Sequence, residues 1–587
     1  MGDDDRILVR AKIVFIGLLL ASFVIVWRLL DIGLIHRKKW KAEVNQSVFR
    51  VKDIKPNRGN IYSCDGKLLS TSLSFYDVAI DPTIVDGQLF NSYVDEFSRV
   101  ASRVLKSDVN TIKKKIIDAR SNNKHYLRIS NGPISFEEKL VLDNTRLVRL
   151  GRYKGGVIFV QHTKRFNPFG DMGRRTIGYV QGDDGVVGIE CEYNEYLKGK
   201  NGRALHQRMA GDFWQVVPSM DNYDPVDGCD IVVTIDSNLE DMTYTCLNNI
   251  LQKTHANYGT AIVAEVETGA IKVLVNLSAD GNGGYKELYN YAVGHYGSME
   301  PGSVMKLLSY MALFEETNLC LNDIINTGNG VCKFDNIYLH DTHKLGRVTV
   351  QQAFEHSSNV AVAKLVNNAF SSDPNKFLKY FHRLHLDKPL GLLNNGEAKP
   401  YIKKYKSKSW SKVTLPCMAI GYEMKLSPMH ILTFYNAVAN NGVMVKPYLV
   451  QSIIRNKKVI QNNFREVLCD KICSDKTLIK LKKMLRGVVE HGTGKKINDS
   501  IYTLSGKSGT ANKVKDGKYS GDTIVTFVGF FPSDKPKYSC IIVVDDPKGK
   551  GYHFGSQVAG PVLKEIMDNI AIKDQEQGKT IYIDELD

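Results

Sequence analysis

Ser303 and Lys306 stand three residues apart, directly after Pro301-Gly302. On a helix that spacing puts a hydroxyl and an amine on one face. Gly302 can make the tight turn into such a helix, and Val304-Met305-Lys306-Leu307-Leu308 reads as its buried continuation. A serine hydroxyl is a weak nucleophile until a base takes its proton. A lysine becomes that base when burial or a cationic neighbour depresses its pKa. The helix start adds free backbone N–H groups and a positive dipole end, which suit a developing oxyanion. The chemistry within reach is acyl transfer through a serine ester. The pattern alone is short, and its plain alternative is an exposed helix start.

Two further stretches raise its meaning. His356-Ser357-Ser358-Asn359 carries a Ser-x-Asn, and Ser505-Gly506-Lys507-Ser508-Gly509-Thr510-Ala511 carries a Lys-Ser-Gly-Thr in a glycine-rich strand. In this order the three motifs resemble the active-site set of penicillin-binding proteins and serine β-lactamases. Glu355-His356-Ser357-Ser358-Asn359-Val360, Ala419-Ile420-Gly421-Tyr422, Ala437 to Gly442 and Phe527 to Pro532 are similar to the division-specific, FtsI-type class B transpeptidases. Ile420-Gly421-Tyr422-Glu423 stands where the elongation-type relative usually carries Ile-Gly-Gln-Gly, which favours the septal type.

The resemblance implies a peptidoglycan D,D-transpeptidase acting on stem peptides that end in D-Ala-D-Ala, with β-lactams as covalent inhibitors. It implies Ser303 as nucleophile, Lys306 as its base, Ser357 as proton relay and Asn359 as a hydrogen-bonding partner of the donor peptide. Lys507 supplies a positive field, Ser508, Gly509 and Thr510 form the substrate-binding strand, and the N–H groups of Ser303 and Thr510 form the oxyanion hole. Each such donor is worth about 3 kcal/mol. The third motif has serine where threonine is more usual, which keeps the hydroxyl and drops only the methyl that restricts its rotamer. Neither cofactor nor metal is expected.

Composition narrows the alternatives. The 587 residues are too many for one core, and the net charge of +15 asks for an anionic partner. The basic residues are scattered without interleaved stacking aromatics, so nucleic acid is not expected and a membrane or wall surface is. The 10 cysteines contain no C-x-x-C pair, and His340-Asp341-Thr342-His343 and His382/His385 lack a third clustered ligand, so these histidines read as structural. Gly506-Lys507-Ser508 is not a phosphate loop, because the glycine needed upstream is Ile501.

The elements that must position these motifs follow. Residues 1–12 read as a cytoplasmic tail and 13–35 as a retained transmembrane anchor. Basic residues flank the anchor on both sides, so its orientation follows from the resemblance: single-pass in the cytoplasmic membrane, catalytic domain outside. Residues 45–228 alternate short strands with turn signals and resemble the dimerisation, or pedestal, domain of class B enzymes. Arg58, Arg165 and Glu190 match its structural positions. Residues 229–573 read as the transpeptidase domain, with strands before and after a helical block and hence a central sheet flanked by helices, an α/β (α+β) fold. Residues 574–587 read as a mobile polar tail. Helical patterns run through Val350 to Asn367 and Pro428 to Asn441. A SEDS-type glycosyltransferase and other divisome membrane proteins are the partners that the resemblance implies. An elongation-type enzyme, a carboxypeptidase, a β-lactamase and a catalytically silent division scaffold are the competing readings.

Overall fold

The structure is a computed structural model and describes residues 3–31, 36, 49–209, 213–463, 465–498, 501–515, 518–549 and 551–576. The expectations for residues 32–35 of the anchor and 577–587 of the tail lie outside them. The chain forms two compact units, 1–58 with 198–228 and 59–197 with 229–587.

In the first unit, helix α1 covers Asp3–Leu30. Its stretch Lys12–Leu30 has a mean hydropathy of 2.5, and none of it is buried. Nineteen residues at 1.5 Å each reach about 28 Å, close to the apolar thickness of a bilayer. At its end, Asp31 is bound by Arg28 of the last turn and by His36, at 3.2 and 2.8 Å. Strand Phe49–Ile54 pairs antiparallel with Gly202–Met209, which pairs with Phe213–Val216.

The second unit holds two large sheets. One joins Ile61–Tyr62 and Leu68–Ile80 to Asp230–Val233, Val450–Arg455 and Lys458–Asn462. The Asp65-Gly66 turn of its first hairpin is made, with Gly66 at φ 82°. Asp230–Val233, expected to open the catalytic domain, pairs parallel with Ile61–Tyr62 and antiparallel with Val450–Arg455. This sheet therefore takes strands from both sides of residue 229. On its far side, strand Val157–Phe166 runs along Leu68–Ile80, and helices Gly87–Leu105 and Val109–Ser121 close a small core around Val78, Phe97 and Ile116.

The other sheet carries the motifs. Helix α2, Ser237–Thr254, precedes strands β1 (Tyr258–Glu265), β2 (Ile271–Ala279) and β3 (Tyr285–Lys286). Next come helix α3 (Lys306–Glu316), the hairpin β4 (Val331–Phe334) and β5 (Ile337–His340), and helices α4 (Val350–Glu355) and α5 (Asn359–Phe370). Helices α6 (Pro428–Ala439) and α7 (Asp475–Glu490) lead to strands β6 (Ser505–Lys515), β7 (Lys518–Phe531) and β8 (Tyr538–Asp545), and to helix α8 (Gly555–Glu576). The six strands run in the order β3-β2-β1-β8-β7-β6, every pair antiparallel.

Alternation along the strands builds two cores, as the period of two requires. Ala261 and Val263 face α2 and α8, whereas Ile262 and Ala264 face α3 and α6. The helices on both faces are those expected from strands flanking a helical block. The helical pattern from Val350 to Asn367 is broken, however. α4 ends before His356, and Ser357 takes φ +57°, a left-handed conformation rare for a non-glycine residue.

Candidate active site

The turn that carries Ser303 is tighter than an α-helix. Gly302–Met305 is a 3-10 turn, and α3 begins only at Lys306. Residues three apart eclipse in that geometry, so Ser303 and Lys306 still share a side. Gly302, at φ +61°, is hemmed in, since a Cβ there would lie 3.1 Å from the Ala511 Cβ and 3.2 Å from the Thr510 oxygen. A Cβ on Gly509 would lie 2.9 Å from Val304 Cγ1. These contacts press the serine turn against β6. Gly421 closes the other side, its oxygen accepting from Gly302 N at 3.0 Å, and a Cβ on it would fall 2.1 Å from the Gly302 oxygen. Glu423 N donates to Glu300 Oε1 at 2.8 Å, and the Tyr422 hydroxyl accepts from Asn512 N at 3.3 Å. The loop singled out as Ile-Gly-Tyr-Glu thus ties the serine turn to the end of β6.

The second motif sits at the break between α4 and α5. Lys306 Nζ donates to the Ser357 carbonyl oxygen at 2.6 Å and lies 3.1 Å from Ser357 Oγ. Both strained backbone and hydroxyl at Ser357 are therefore held by the buried amine. Asp341 fixes the start of α5. It accepts from Asn359 N at 2.6 Å, Val360 N at 2.9 Å and Ser358 Oγ at 2.7 Å. Ser358 Oγ in turn accepts from Ala361 N at 3.0 Å, a helix cap. The Asn359 side chain donates to the His340 oxygen at 2.8 Å, so that amide is anchored on β5. His340-Asp341, whose histidine the sequence reads as structural rather than metal-binding, is a positioning element. Only an oxygen acceptor ahead of a helix N-terminus hints at this role, and it lies too far upstream to be recognised.

The third motif lies on β6, the last strand of its sheet, so among the described residues one edge of its backbone has no strand partner. Lys507 Nζ donates to the Ser508 oxygen at 3.0 Å and lies 5.8 Å over the Phe354 ring. Ser508 Oγ is 3.0 Å from Thr493 Oγ1, and Thr510 Oγ1 accepts from Gly555 N at 3.4 Å. Accepting that bond leaves the Thr510 hydroxyl proton to donate elsewhere.

Electrostatics separates the lysines from the groups around them. Lys306 and Lys507 are both 0 % exposed, whereas Ser303, Ser357, Asn359 and Thr510 are half-buried. Burial pushes the Lys306 amine well below its usual value, the Lys507 charge pushes the same way, and Asp341 opposes. Burial brings Lys507 down to about 7. A neutral amine at Lys306 can take a proton from a neighbouring hydroxyl, and Lys507 is poised to hold or lose charge near neutrality. Among the described residues, no three His, Cys, Asp or Glu side chains gather as a metal site. The structure therefore brings Lys306, Ser357, Asn359 and Lys507 together one tight turn from Ser303, with Ser508, Gly509 and Thr510 on the strand alongside.

The pedestal residues are elsewhere. Arg165 Nε donates to Glu190 Oε1 at 2.6 Å, and Ser70 and Ser72 complete that buried ion pair. Arg58 belongs to the first unit.

Comparison with known proteins bears on this arrangement. The penicillin binding protein transpeptidase domain matches residues 259–568, and the penicillin-binding protein dimerisation domain matches residues 53–233. The chain is 25% identical over 577 residues to peptidoglycan D,D-transpeptidase FtsI of Buchnera aphidicola subsp. Baizongia pistaciae, covering 97% of this chain and 95% of that one. It is 25% identical over 573 residues to stage V sporulation protein D of Bacillus subtilis, covering 96% and 86%. Its fold is that of penicillin binding protein 2X from Streptococcus thermophilus, at a TM-score of 0.74 and 20% identity over 90% of this chain and 82% of that one.

Proposed function

The chain belongs to the penicillin-binding proteins, with the dimerisation and transpeptidase domains in one polypeptide, and we propose that it cross-links stem peptides in septal peptidoglycan through an acyl-enzyme on Ser303. The observation that carries this is the fully buried Lys306 amine, held by Ser357 and depressed in pKa, one tight turn from Ser303.

Lys306 takes the Ser303 proton, and Ser303 Oγ attacks the carbonyl of the penultimate D-alanine. The backbone N–H groups of Ser303 and Thr510 hold the oxyanion. Collapse breaks the peptide bond, and the departing D-alanine amine takes a proton passed on by Ser357. A second stem-peptide amine then attacks the ester, forms the cross-link and returns Ser303. Lys507, Ser508 and Thr510 hold the terminal carboxylate of the donor, and the Asn359 amide meets its backbone. A peptide can lie along the open edge of β6 as an added strand, with main-chain hydrogen bonds supplying affinity.

The septal assignment rests on the FtsI-named relative and on the Ile420-Gly421-Tyr422-Glu423 loop. The helix Lys12–Leu30 serves as a single anchor, with the N-terminus cytoplasmic and the enzyme outside. A SEDS-type glycosyltransferase in the same membrane is the partner that fits such an enzyme. A second reading, a silent scaffold, is favoured by one feature: the Lys306 hydrogen bonds go to Ser357, not to Ser303.

Labelling the detergent-solubilised full chain with a fluorescent penicillin separates the two. Covalent label that disappears in Ser303→Ala is the expected result. A folded chain that takes no label would put the scaffold first.

A further inference from the structure

We propose that the pocket between the β4–β5 hairpin and the segment around Trp410 binds a sugar of the peptidoglycan strand whose stem peptide occupies the cleft. This assignment rests on the transpeptidase reading and names where the glycan part of that substrate goes.

The pocket holds about 670 Å³ and is lined by Lys333, Phe334, Asn367, Tyr405, Trp410 and Lys412, among others. That volume lies within the range of small-ligand sites. Tyr405 and Trp410 meet edge to face at 5.3 Å and are half-buried. The Trp410 indole N–H and the Tyr405 hydroxyl make no hydrogen bond among the described residues. Aromatic faces with free polar tips suit a pyranose, which offers an apolar face to a ring and hydroxyls to donors at its rim. Asn367 adds a side-chain amide to the same wall.

Charge selects the kind of saccharide. From Lys399 to Tyr422 the chain has no acidic residue, and Lys404, Lys406, Lys408 and Lys412 are exposed without a carboxylate partner among the described residues. Lys406 packs 5.7 Å over the Tyr405 ring. At the pocket wall Lys333 and Lys412 outnumber Asp335, and with the lysines of the adjoining segment they fit a sugar that carries an anionic peptide better than a neutral glycan.

Position fits as well. Asn367 lies on α5, eight residues beyond Asn359, which at 1.5 Å per residue is about 12 Å along the axis. Four extended peptide residues span at most about 14 Å. A peptide held at Asn359 can therefore carry its sugar to the pocket.

The test titrates the full chain in detergent with a soluble disaccharide-tetrapeptide from peptidoglycan and, separately, with the free tetrapeptide. The readouts are tryptophan fluorescence and calorimetry. The expected result is at least tenfold tighter binding of the sugar-bearing ligand. That advantage should be lost in Trp410→Ala and reduced in Lys412→Glu, a change on an exposed side chain that leaves folding intact. Penicillin labelling of Ser303, which involves no sugar, should persist in both variants. Equal affinities for the two ligands, or an advantage that survives both variants, would overturn the proposal. So would displacement of the disaccharide-peptide by polyphosphate at equal charge, which would make the rim a general polyanion surface. Loss of penicillin labelling in the unaltered chain would count against the transpeptidase reading alone, because the titration reads the pocket without it.

Discussion

Two pairs of like-charged groups are buried in the second unit, and they answer pH in opposite directions. Lys306 and Lys507 lie between α3 and β6 and are driven to lose protons. Glu240 on α2 and Glu287 just after β3 are equally buried and are driven to gain them, to about 8 and about 7, chiefly by desolvation. The carboxyls are held by backbone: Glu240 Oε2 accepts from Leu274 N at 2.8 Å, and Glu287 Oε2 from Arg175 N at 3.0 Å. The Lys306 amine is held beside the half-buried Ser357 hydroxyl, and Lys507 precedes Ser508 on β6. The same penalty for burying charge therefore leaves two amines beside hydroxyls in one place and two carboxyls against backbone N–H groups in the other. What makes the difference is the neighbour, not the shift.

Removing the chemistry breaks the comparison most sharply. Ser303→Ala should abolish penicillin labelling, and Lys306→Met should slow acylation about 10³-fold, read by stopped-flow competition with a chromogenic β-lactam. Lys507→Met should slow it less, yet stabilise the fold. At pH 7 the unfolded lysine is protonated while the folded one is near its midpoint. Folding therefore expels protons, and stability rises with pH from about 7 towards the unfolded value. The methionine variant lacks that slope and should gain on the order of 4 kcal/mol at pH 7, shrinking towards pH 10 in denaturant titrations. In the unaltered protein, the acylation rate constant should fall on the alkaline side as Lys507 loses its proton through about 7.

Glu287→Gln is the mirror experiment. A raised carboxyl favours the folded state at low pH and loses that contribution as pH climbs from the unfolded value through about 7. The glutamine variant should gain roughly 3 kcal/mol at pH 8, little at pH 4, and label with penicillin normally. The smallest effect belongs to Asp341→Asn. It should cost about 1 kcal/mol of helix capping. It should also move the acid limb of acylation to lower pH, because Asp341 raises the Lys306 pKa.

The contrast also marks what could be read from the chain. The grouping of Ser303, Lys306, Ser357, Asn359, Lys507 and the hydroxyls of β6 was legible because each sits in a short motif whose spacing is local. Strand Tyr538–Asp545 was legible to the residue, since a fully buried strand needs an unbroken apolar run. The break at Ser357 was not, because the apolar pattern continues across it and the left-handed residue is held by Lys306, 51 positions away. Asp341 was missed for the same reason: its role depends on the distance through space to Asn359. The Glu240–Glu287 pair left no signal, since a glutamate on a helix is read as solvated unless its partner is known.

The sheet that takes strands from either side of residue 229 has a consequence for how the protein is made. Ile231 pairs with Ile61 and with Ile453. At 5–20 residues per second, the stretch from Ile231 to Ile453 takes about 10 to 45 s to emerge from the ribosome. Through that interval the strand Asp230–Val233 waits with one side unpaired, while the hairpin from Ile61 can already close. The last partner to arrive sets when the sheet seals, so assembly is paced by synthesis of the C-terminal half. A chain truncated before Val450–Arg455 would leave an open strand edge, the surface most prone to pair with another copy.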